Sequence, residues 1–120
     1  MERTPFGFLL VAVGGFVGAT ARHAVDVAVG GLLAGPATGA GTLAANVVGS
    51  FALGLLVARA SDARTRLLVG TGALSSFTTY SAFVADAVAL GPSAGAGYVA
   101  ASYATGFAAA TLGLAVGRGL

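Results

Sequence analysis

The sequence predicts an all-α integral membrane protein with four transmembrane helices, and three observations predict it. Of the 120 residues, 57% are hydrophobic and only 8% are charged, whereas soluble domains carry about 25% charged residues. Glycine, which is more frequent in transmembrane helices than in soluble ones, occurs 20 times. Four separate apolar stretches approach the length of about 20 residues that crosses a bilayer. We therefore expect one four-helix transmembrane domain over residues 1–120.

Short links join the four predicted spans. The spans cover about residues 6–29, 42–58, 67–90 and 95–117. Glycine and proline mark the links at 30–41 and 91–97, whereas the link at 60–66 carries the charges. Arg3, the first apolar stretch and the small residues at 19–21 also fit a cleavable signal peptide. Because that stretch is long for a signal peptide, we expect a retained span.

The arginines predict the orientation. Four spans place both termini and the link at 60–66 on one side of the membrane. That side carries five of the six arginines: Arg3, Arg59, Arg64, Arg66 and Arg118. Because positive residues accumulate on the cytoplasmic side, we expect cytoplasmic termini and one fixed topology. The absence of lysine beside abundant alanine and glycine is typical of a GC-rich bacterial genome, so we expect a bacterial plasma membrane protein.

Few side chains carry catalytic or ligand chemistry. The chain has one histidine, four acidic residues and no cysteine, so neither a disulfide framework, a metal cluster nor a nucleophile with a base is visible. The arginines are scattered rather than gathered in a basic patch, which argues against nucleic-acid binding. We therefore expect a protein that is not an enzyme and does not bind nucleic acid.

Hydroxyl residues cluster in the middle of the third span, within GALSSFTTYSAF at 72–83. Ser75, Ser76, Thr78 and Thr79 compete for backbone hydrogen bonds, and nearby glycines lower helix propensity. We expect a helix broken near the bilayer midplane, where freed carbonyls coordinate small cations. An intact helix whose hydroxyls bond back to the preceding turn fits the residues equally well.

Other polar residues lie inside or near the ends of predicted spans, where they must be paired or line a water-filled path. Asn46 shares a face of the second span with Thr42 and could donate to an anion, or could fix helix packing. Arg22 could attract anions into a vestibule, or pair with Asp26 one turn on. Ser102 either continues a polar track or supports a small-residue contact.

An aromatic pair follows the hydroxyl cluster. Tyr80 and Phe83 are three residues apart and therefore share a helix face. Their electropositive ring edges could face an anion. Plain packing explains such spacing as well.

Three motifs, in order and at matching spacing, give the chain a resemblance to the Fluc (CrcB) fluoride channel family. They are GGFVGATAR at 14–22, GTLAANVVGSF at 41–51 and TTYSAF at 78–83, where the family reads TTFSTF. The resemblance implies an antiparallel, dual-topology dimer of four-helix subunits with two pores. It also implies passive fluoride export, which lowers cytoplasmic fluoride.

The resemblance assigns roles to residues that the patterns left open. It implies a structural sodium ion at the dimer centre, held at the helix break by the backbone carbonyls of Ser75 and Thr78. It implies a fluoride pathway past Asn46, with Tyr80 and Phe83 as the aromatic pair. Arg22 becomes the vestibule arginine. From their own places on the polar track, we also expect Thr42 and Ser102 to line the pore.

The chain departs from the family pattern at two places. Ser75-Ser76 replaces a usual glycine pair, and Tyr80 replaces phenylalanine. The strong arginine bias also conflicts with a homodimer whose subunits must insert both ways. We therefore expect an antiparallel partner that is an oppositely oriented homologue.

Two other classes of membrane protein remain. A small multidrug antiporter needs a membrane-embedded glutamate, and Glu2 lies outside the predicted spans. A non-conducting structural or regulatory subunit is the second class, and the changed glycine pair and Tyr80 leave room for it.

Overall fold

Five helices build the protein in the computed structural model, which describes residues 4–32, 39–59 and 62–119. They are α1 (Pro5–Leu32), α2 (Ala40–Arg59), α3 (residues 63–77), α4 (Ser81–Leu90) and α5 (Pro92–Gly119). Four stretches are long and apolar enough to cross a membrane: Pro5–Val29, Ala40–Arg59, Ala63–Leu90 and Pro92–Gly119. The predicted four-span, all-helical architecture is confirmed.

Helix α3 changes its winding along its length. It is α-helical over Ala63–Thr65 and Ser75–Phe77, and wound as a π-helix over Arg66–Leu74. Thr78 then has extended backbone angles (φ −84°, ψ 159°), and regular helix resumes at Ser81. Glycines at 70 and 72 lower the helix propensity of this segment, so tertiary contacts can determine how it is wound.

The last link differs from the prediction. Residues 91–97 were expected to form a loop, but α5 already begins at Pro92 and Gly91 alone makes the turn. Gly91 has φ +90°, a conformation that glycine adopts at little cost. Proline is favoured at the first helical position because its φ is preset and it has no N–H to leave unpaired. Part of the predicted link at 30–41 (residues 33–38) and residues 60–61 lie outside the described residues.

Glycines allow two helix pairs to pack backbone to backbone. In the α1–α3 pair, Gly14 lies against the carbonyl oxygen of Leu68, and Gly18 lies against that of Ala73. In the α2–α5 pair, Gly54 and Gly113 likewise face carbonyl oxygens of the opposite helix. Such small-residue contacts are the usual means of helix association in lipid.

The apolar side chains mostly point away from the helix bundle. Phe16 and Val88 are about three-quarters exposed (74% and 75%). Among the described residues, the buried apolar ones are few: Ala45, Leu67, Phe83 and Tyr98. An apolar exterior suits a chain whose solvent is lipid, because lipid offers no hydrophobic drive to bury such residues.

Arginines mark one end of the bundle. The guanidinium of Arg64 lies 4.8 Å from the centre of the Phe6 ring, which brings the starts of α1 and α3 together. Gly117 packs against Ala58, which places the ends of α2 and α5 side by side. Asp62 caps α3 at the same end by accepting a hydrogen bond from the Thr65 N–H (2.8 Å).

Candidate functional site

A cleft of about 680 Å³ lies between α2, α3, α4 and α5. Six of the eight predicted site residues line it: Asn46, Ser75, Thr78, Tyr80, Phe83 and Ser102. The cleft runs along the non-helical segment 78–80, so the interruption of the helix is part of its wall. The fold therefore collects residues from three predicted spans into one surface.

The side chain of Asn46 holds the non-helical segment through two hydrogen bonds. Its Nδ2 donates to the carbonyl oxygen of Thr79 (3.0 Å), and its Oδ1 accepts from the Thr79 N–H (2.9 Å). The interhelical role left open for this residue is therefore present in the structure. A carboxamide NH₂ has two hydrogens, so Asn46 keeps a second N–H for the cleft that it lines.

Two backbone donors are diverted from the positions that a continuous helix would give them. In an α-helix the Thr79 N–H would donate to the Ser75 carbonyl, and the Ala82 N–H to the Thr78 carbonyl. Instead, Thr79 donates to Asn46 Oδ1, and Ala82 donates to Thr79 Oγ1 at 3.2 Å. The carbonyls of Ser75 and Thr78 thereby lose their regular partners and can bind a ligand.

Hydroxyls beside the break bond back along α3. Ser75 Oγ donates to the Gly70 carbonyl oxygen (3.2 Å), and Thr78 Oγ1 donates to that of Leu74 (2.8 Å). Thr79 Oγ1 instead caps the first turn of α4. The hydroxyl cluster predicted from sequence therefore acts mainly on the backbone around residues 78–80.

Phe83 lies at the centre of an aromatic cluster. It is only 8% exposed, and its ring centre lies 5.8 Å from that of Tyr80, 5.6 Å from Tyr98 and 6.0 Å from Tyr103. Tyr80, by contrast, is 71% exposed. Phe107 extends the cluster from Tyr103, at 5.9 Å. Four members of the cluster line the same cleft as Asn46: Tyr80, Phe83, Tyr103 and Phe107.

The hydroxyl of Ser102 is buried in the wall of the cleft. Among the described residues, its Oγ is a buried side-chain polar atom without a hydrogen-bond partner. An unpaired buried hydroxyl costs free energy, so it favours a polar ligand or water on this side of the cleft.

A second polar cluster joins α1, α2 and α4, and holds the remaining two predicted residues. Arg22 forms an ion pair with Asp26 (3.1 Å) and donates from Nη2 to Thr42 Oγ1 (3.1 Å). Thr42, which is 4% exposed, donates in turn to Asp86 Oδ2 (2.7 Å). The pairing of Arg22 with Asp26 was one of the two alternatives predicted, whereas the bridge to Asp86 was not.

Comparison with known proteins places the chain in a family. A family model described as "CrcB-like protein, Camphor Resistance (CrcB)" matches residues 9–114. The chain belongs to the CrcB family. The resemblance seen in the three motifs is thereby confirmed over most of the sequence.

Relatives of this CrcB protein carry a functional name. "Fluoride-specific ion channel FluC 2" of Halobacterium salinarum is 48% identical over 113 residues, covering 89% of this chain and 83% of the relative. "Fluoride-specific ion channel FluC 1" of Natronomonas pharaonis is 44% identical and covers 88% of each chain. "Fluoride-specific ion channel FluC" of Agrobacterium fabrum is 46% identical, over 92% of this chain and 95% of the relative.

The CrcB structure also contains site residues that sequence reasoning missed. Tyr98 packs its ring on Phe83 and donates its hydroxyl to the Gly39 carbonyl oxygen (3.1 Å). Tyr103 and Phe107 line the cleft. Tyr98 and Ser102, and likewise Tyr103 and Phe107, are four residues apart, and this spacing was the available signal. In a span rich in alanine and glycine, only the packing shows which face meets Phe83.

Proposed function

We propose that this CrcB-family protein is a subunit of a fluoride-specific ion channel that lets fluoride leave the cytoplasm passively and so lowers its concentration there. The observation that carries the proposal is the cleft, which gathers six predicted residues from three spans. Relatives of matching length that are named fluoride-specific ion channels support the choice of ion.

The cleft offers the donors that a small anion needs. Removing the water from fluoride leaves a large cost unless other donors replace it. The second N–H of Asn46 and the unpaired hydroxyl of Ser102 can donate. The ring edges of Tyr80 and Phe83 add weaker positive potential. Carboxylates, which would repel the anion, are in the neighbouring cluster rather than among the residues that line the cleft.

Arg22 and Thr42 form the proposed entrance. The side chain of Arg22 is 13% exposed, and its guanidinium is oriented by Asp26 and Thr42. Asp26 offsets part of its charge, so we infer that Arg22 mainly orients an arriving anion rather than attracting it over long range. Thr42 lies one helical turn from Asn46, which lines the cleft.

The residues at the break fit a sodium ion. Backbone carbonyls at interrupted membrane helices coordinate sodium, and the carboxyl end of a half-helix favours a cation. The carbonyls of Ser75 and Thr78 have lost their helical donors, so they are the proposed ligands. We place this break near the bilayer midplane and at the centre of the dimer, where the sodium ion would join two subunits.

The proposed assembly is an antiparallel, dual-topology-type dimer in the plasma membrane, with an oppositely oriented homologue as partner. The arginines at one end of the bundle support a single orientation for this chain, with cytoplasmic termini. A partner of opposite bias would then supply the inverted subunit.

Fluoride efflux from proteoliposomes, read with a fluoride electrode, tests the function. The purified chain is reconstituted alone and together with a homologue of opposite arginine bias. We expect no efflux from the chain alone and rapid efflux from the pair, with chloride efflux absent from both. Efflux from the chain alone would keep the channel but overturn the heterodimer. No efflux from either preparation, with the protein folded, would favour a non-conducting structural subunit.

A further inference from the structure

The π-wound part of α3 ends at Ser75, directly before the interrupted segment. A π-helix uses bonds from residue i to residue i−5, is rare, and needs specific support to compete with the α-helix. The N–H of Ser75 is shared between the carbonyls of Gly70 and Gly72. Three residues later, the Thr78 N–H bonds to Leu74 in the ordinary i−4 register (3.0 Å). The change of register therefore occurs at Ser75.

The hydroxyl of Ser75 reinforces the i−5 register. Its Oγ donates to the same Gly70 carbonyl that accepts the Ser75 N–H, at 3.2 Å. Gly70 and Gly72 have no side chains to favour either register, and both reduce the intrinsic stability of the helix. The hydrogen bond from Ser75 Oγ to the Gly70 carbonyl oxygen is thus a local contact that favours the π-turn over an α-turn.

The register at Ser75 sets the direction in which the following carbonyls point. Each residue advances an α-helix by about 100°, so conversion of this π-turn to an α-turn would rotate residues 75–78 by about that angle relative to residues before 70. The earlier part of α3 cannot follow, because Leu68 lies against Gly14 of α1. The carbonyls of Ser75 and Thr78 would then turn away from the proposed cation site.

We propose that the hydroxyl of Ser75 is a positioning group, which locks the π-turn between Gly70 and Ser75 and so aims the two carbonyls of the break at their cation. This role belongs to the side chain and is separate from the proposed ligation by the Ser75 carbonyl. The effect on cation binding rests on the proposed function and its sodium site. The hydrogen bond that holds the π-turn does not.

Hydrogen–deuterium exchange of the peptide 70–79, measured in lipid nanodiscs, tests the geometry. We expect Ser75→Ala to exchange roughly two- to twelvefold faster than the wild type, which corresponds to the loss of one net hydrogen bond. The matched control is Ser76→Ala, because Ser76 faces Gly15 of α1 rather than the π-turn. If alanine perturbs folding, Ser75→Thr and Ser75→Val form a second pair, of similar shape with and without the hydroxyl. The proposal would be overturned if Ser75→Ala exchanged as slowly as the wild type and Ser75→Val exchanged as slowly as Ser75→Thr.

A titration of fluoride efflux with sodium tests the effect of the Ser75 hydroxyl on cation binding. It uses the preparation that shows efflux, either the chain alone or the pair. Ser75→Ala should raise the half-saturating sodium concentration by roughly two- to twelvefold, matching the loss of one net hydrogen bond, and Ser75→Thr should restore the wild-type value. An unchanged sodium requirement in Ser75→Ala would overturn the positioning role. If wild-type efflux is absent or independent of sodium, the proposed function or its sodium site is wrong, and the exchange comparison alone decides the role of Ser75.

Discussion

Asn46 shows how one side chain can hold an interrupted helix open. Both polar atoms of its carboxamide bind the backbone of Thr79, at 3.0 Å and 2.9 Å. A residue that diverts the Thr79 N–H also removes the regular donor of the Ser75 carbonyl. The same amide therefore shapes the proposed cation site and lines the cleft proposed for the anion.

Replacing Asn46 with alanine is expected to damage both stability and transport. It leaves the N–H and carbonyl of the half-buried Thr79 without these partners, and an unsatisfied polar group costs up to about 1–3 kcal/mol when it is buried. We expect a lower thermal midpoint in detergent and fluoride efflux reduced at least about tenfold, since 1.4 kcal/mol corresponds to tenfold. Val48→Ala, on the exposed side of the same helix, is the control. Wild-type efflux from Asn46→Ala would contradict the assignment.

At the scale of the element, the π-wound part of α3 packs closely against α1. Gly18 faces the Ala73 carbonyl oxygen and Gly14 faces that of Leu68. Both contacts lie within or beside the π-wound segment Arg66–Leu74. Because the contact is made by backbone atoms, a side chain at either glycine would have to separate the two helices.

Gly18→Ala is expected to destabilise the protein by about 1–3 kcal/mol, the usual cost of overpacking a close contact. The free energy of unfolding in a detergent–denaturant titration measures the effect. Gly97→Ala is the matched control, because no atom outside its own helix lies within 4 Å of the added methyl group. Alanine there should be neutral or stabilising by up to about 1 kcal/mol, since alanine is the better helix former. Equal behaviour of the two variants would contradict the packing argument.

The start of α3 should respond to pH through Asp62. The pKa of Asp62 is held below its usual value, chiefly by the hydrogen bond from the Thr65 N–H and then by that from the Thr65 hydroxyl. A lowered folded-state pKa gives stability that is complete above the unfolded pKa, about 3.9. That stability is lost as the pH falls through the folded value.

Asp62→Ala should therefore lower the thermal midpoint between about pH 5 and 7, and its difference from wild type should shrink as the pH approaches 3. Circular dichroism melts in detergent measure both. Asp62→Asn retains a side-chain acceptor without a titrating group, so its difference from Asp62→Ala should stay constant with pH. A wild-type advantage that grew on acidification would contradict the capping role.

For the whole molecule, the proposed assembly rests on the distribution of arginine. Arg64 is held over Phe6 at the end where α1 and α3 begin, and Arg59 and Arg118 lie in the last turns of α2 and α5, which meet there. A chain with so uneven a charge distribution has one favoured orientation. An antiparallel dimer then calls for a second kind of subunit.

Reporter fusions at both termini measure this orientation. We expect the chain expressed alone to place both termini in the cytoplasm in nearly all molecules. Replacing Arg59, Arg64 and Arg66 by glutamine in one variant should give a mixed orientation, because the arginine bias across the membrane is then largely removed. Equal amounts of both orientations in the wild type would refute the heterodimer hypothesis.

Sequence by itself determined the class of this protein. Low charge, high apolar content and four stretches of spanning length reflect the solvent that a chain requires. They therefore indicate a membrane protein without knowledge of any tertiary contact. The motifs around Arg22, Asn46 and Thr78 likewise identified the family, because they are contiguous in sequence. The orientation, the sodium ion and the antiparallel partner stay predictions.

Tertiary structure alone decided how the polar residues are used. Sequence left Asn46 between an anion donor and a packing contact, and Arg22 between a vestibule and an ion pair with Asp26. The structure supplies the hydrogen-bond partners: Asn46 binds Thr79, 33 residues away, and Thr42, which accepts from Arg22, binds Asp86, 44 residues away. In lipid a polar group must find its partner within the protein. The identity of that partner is therefore set by how the helices pack, which local pattern does not encode.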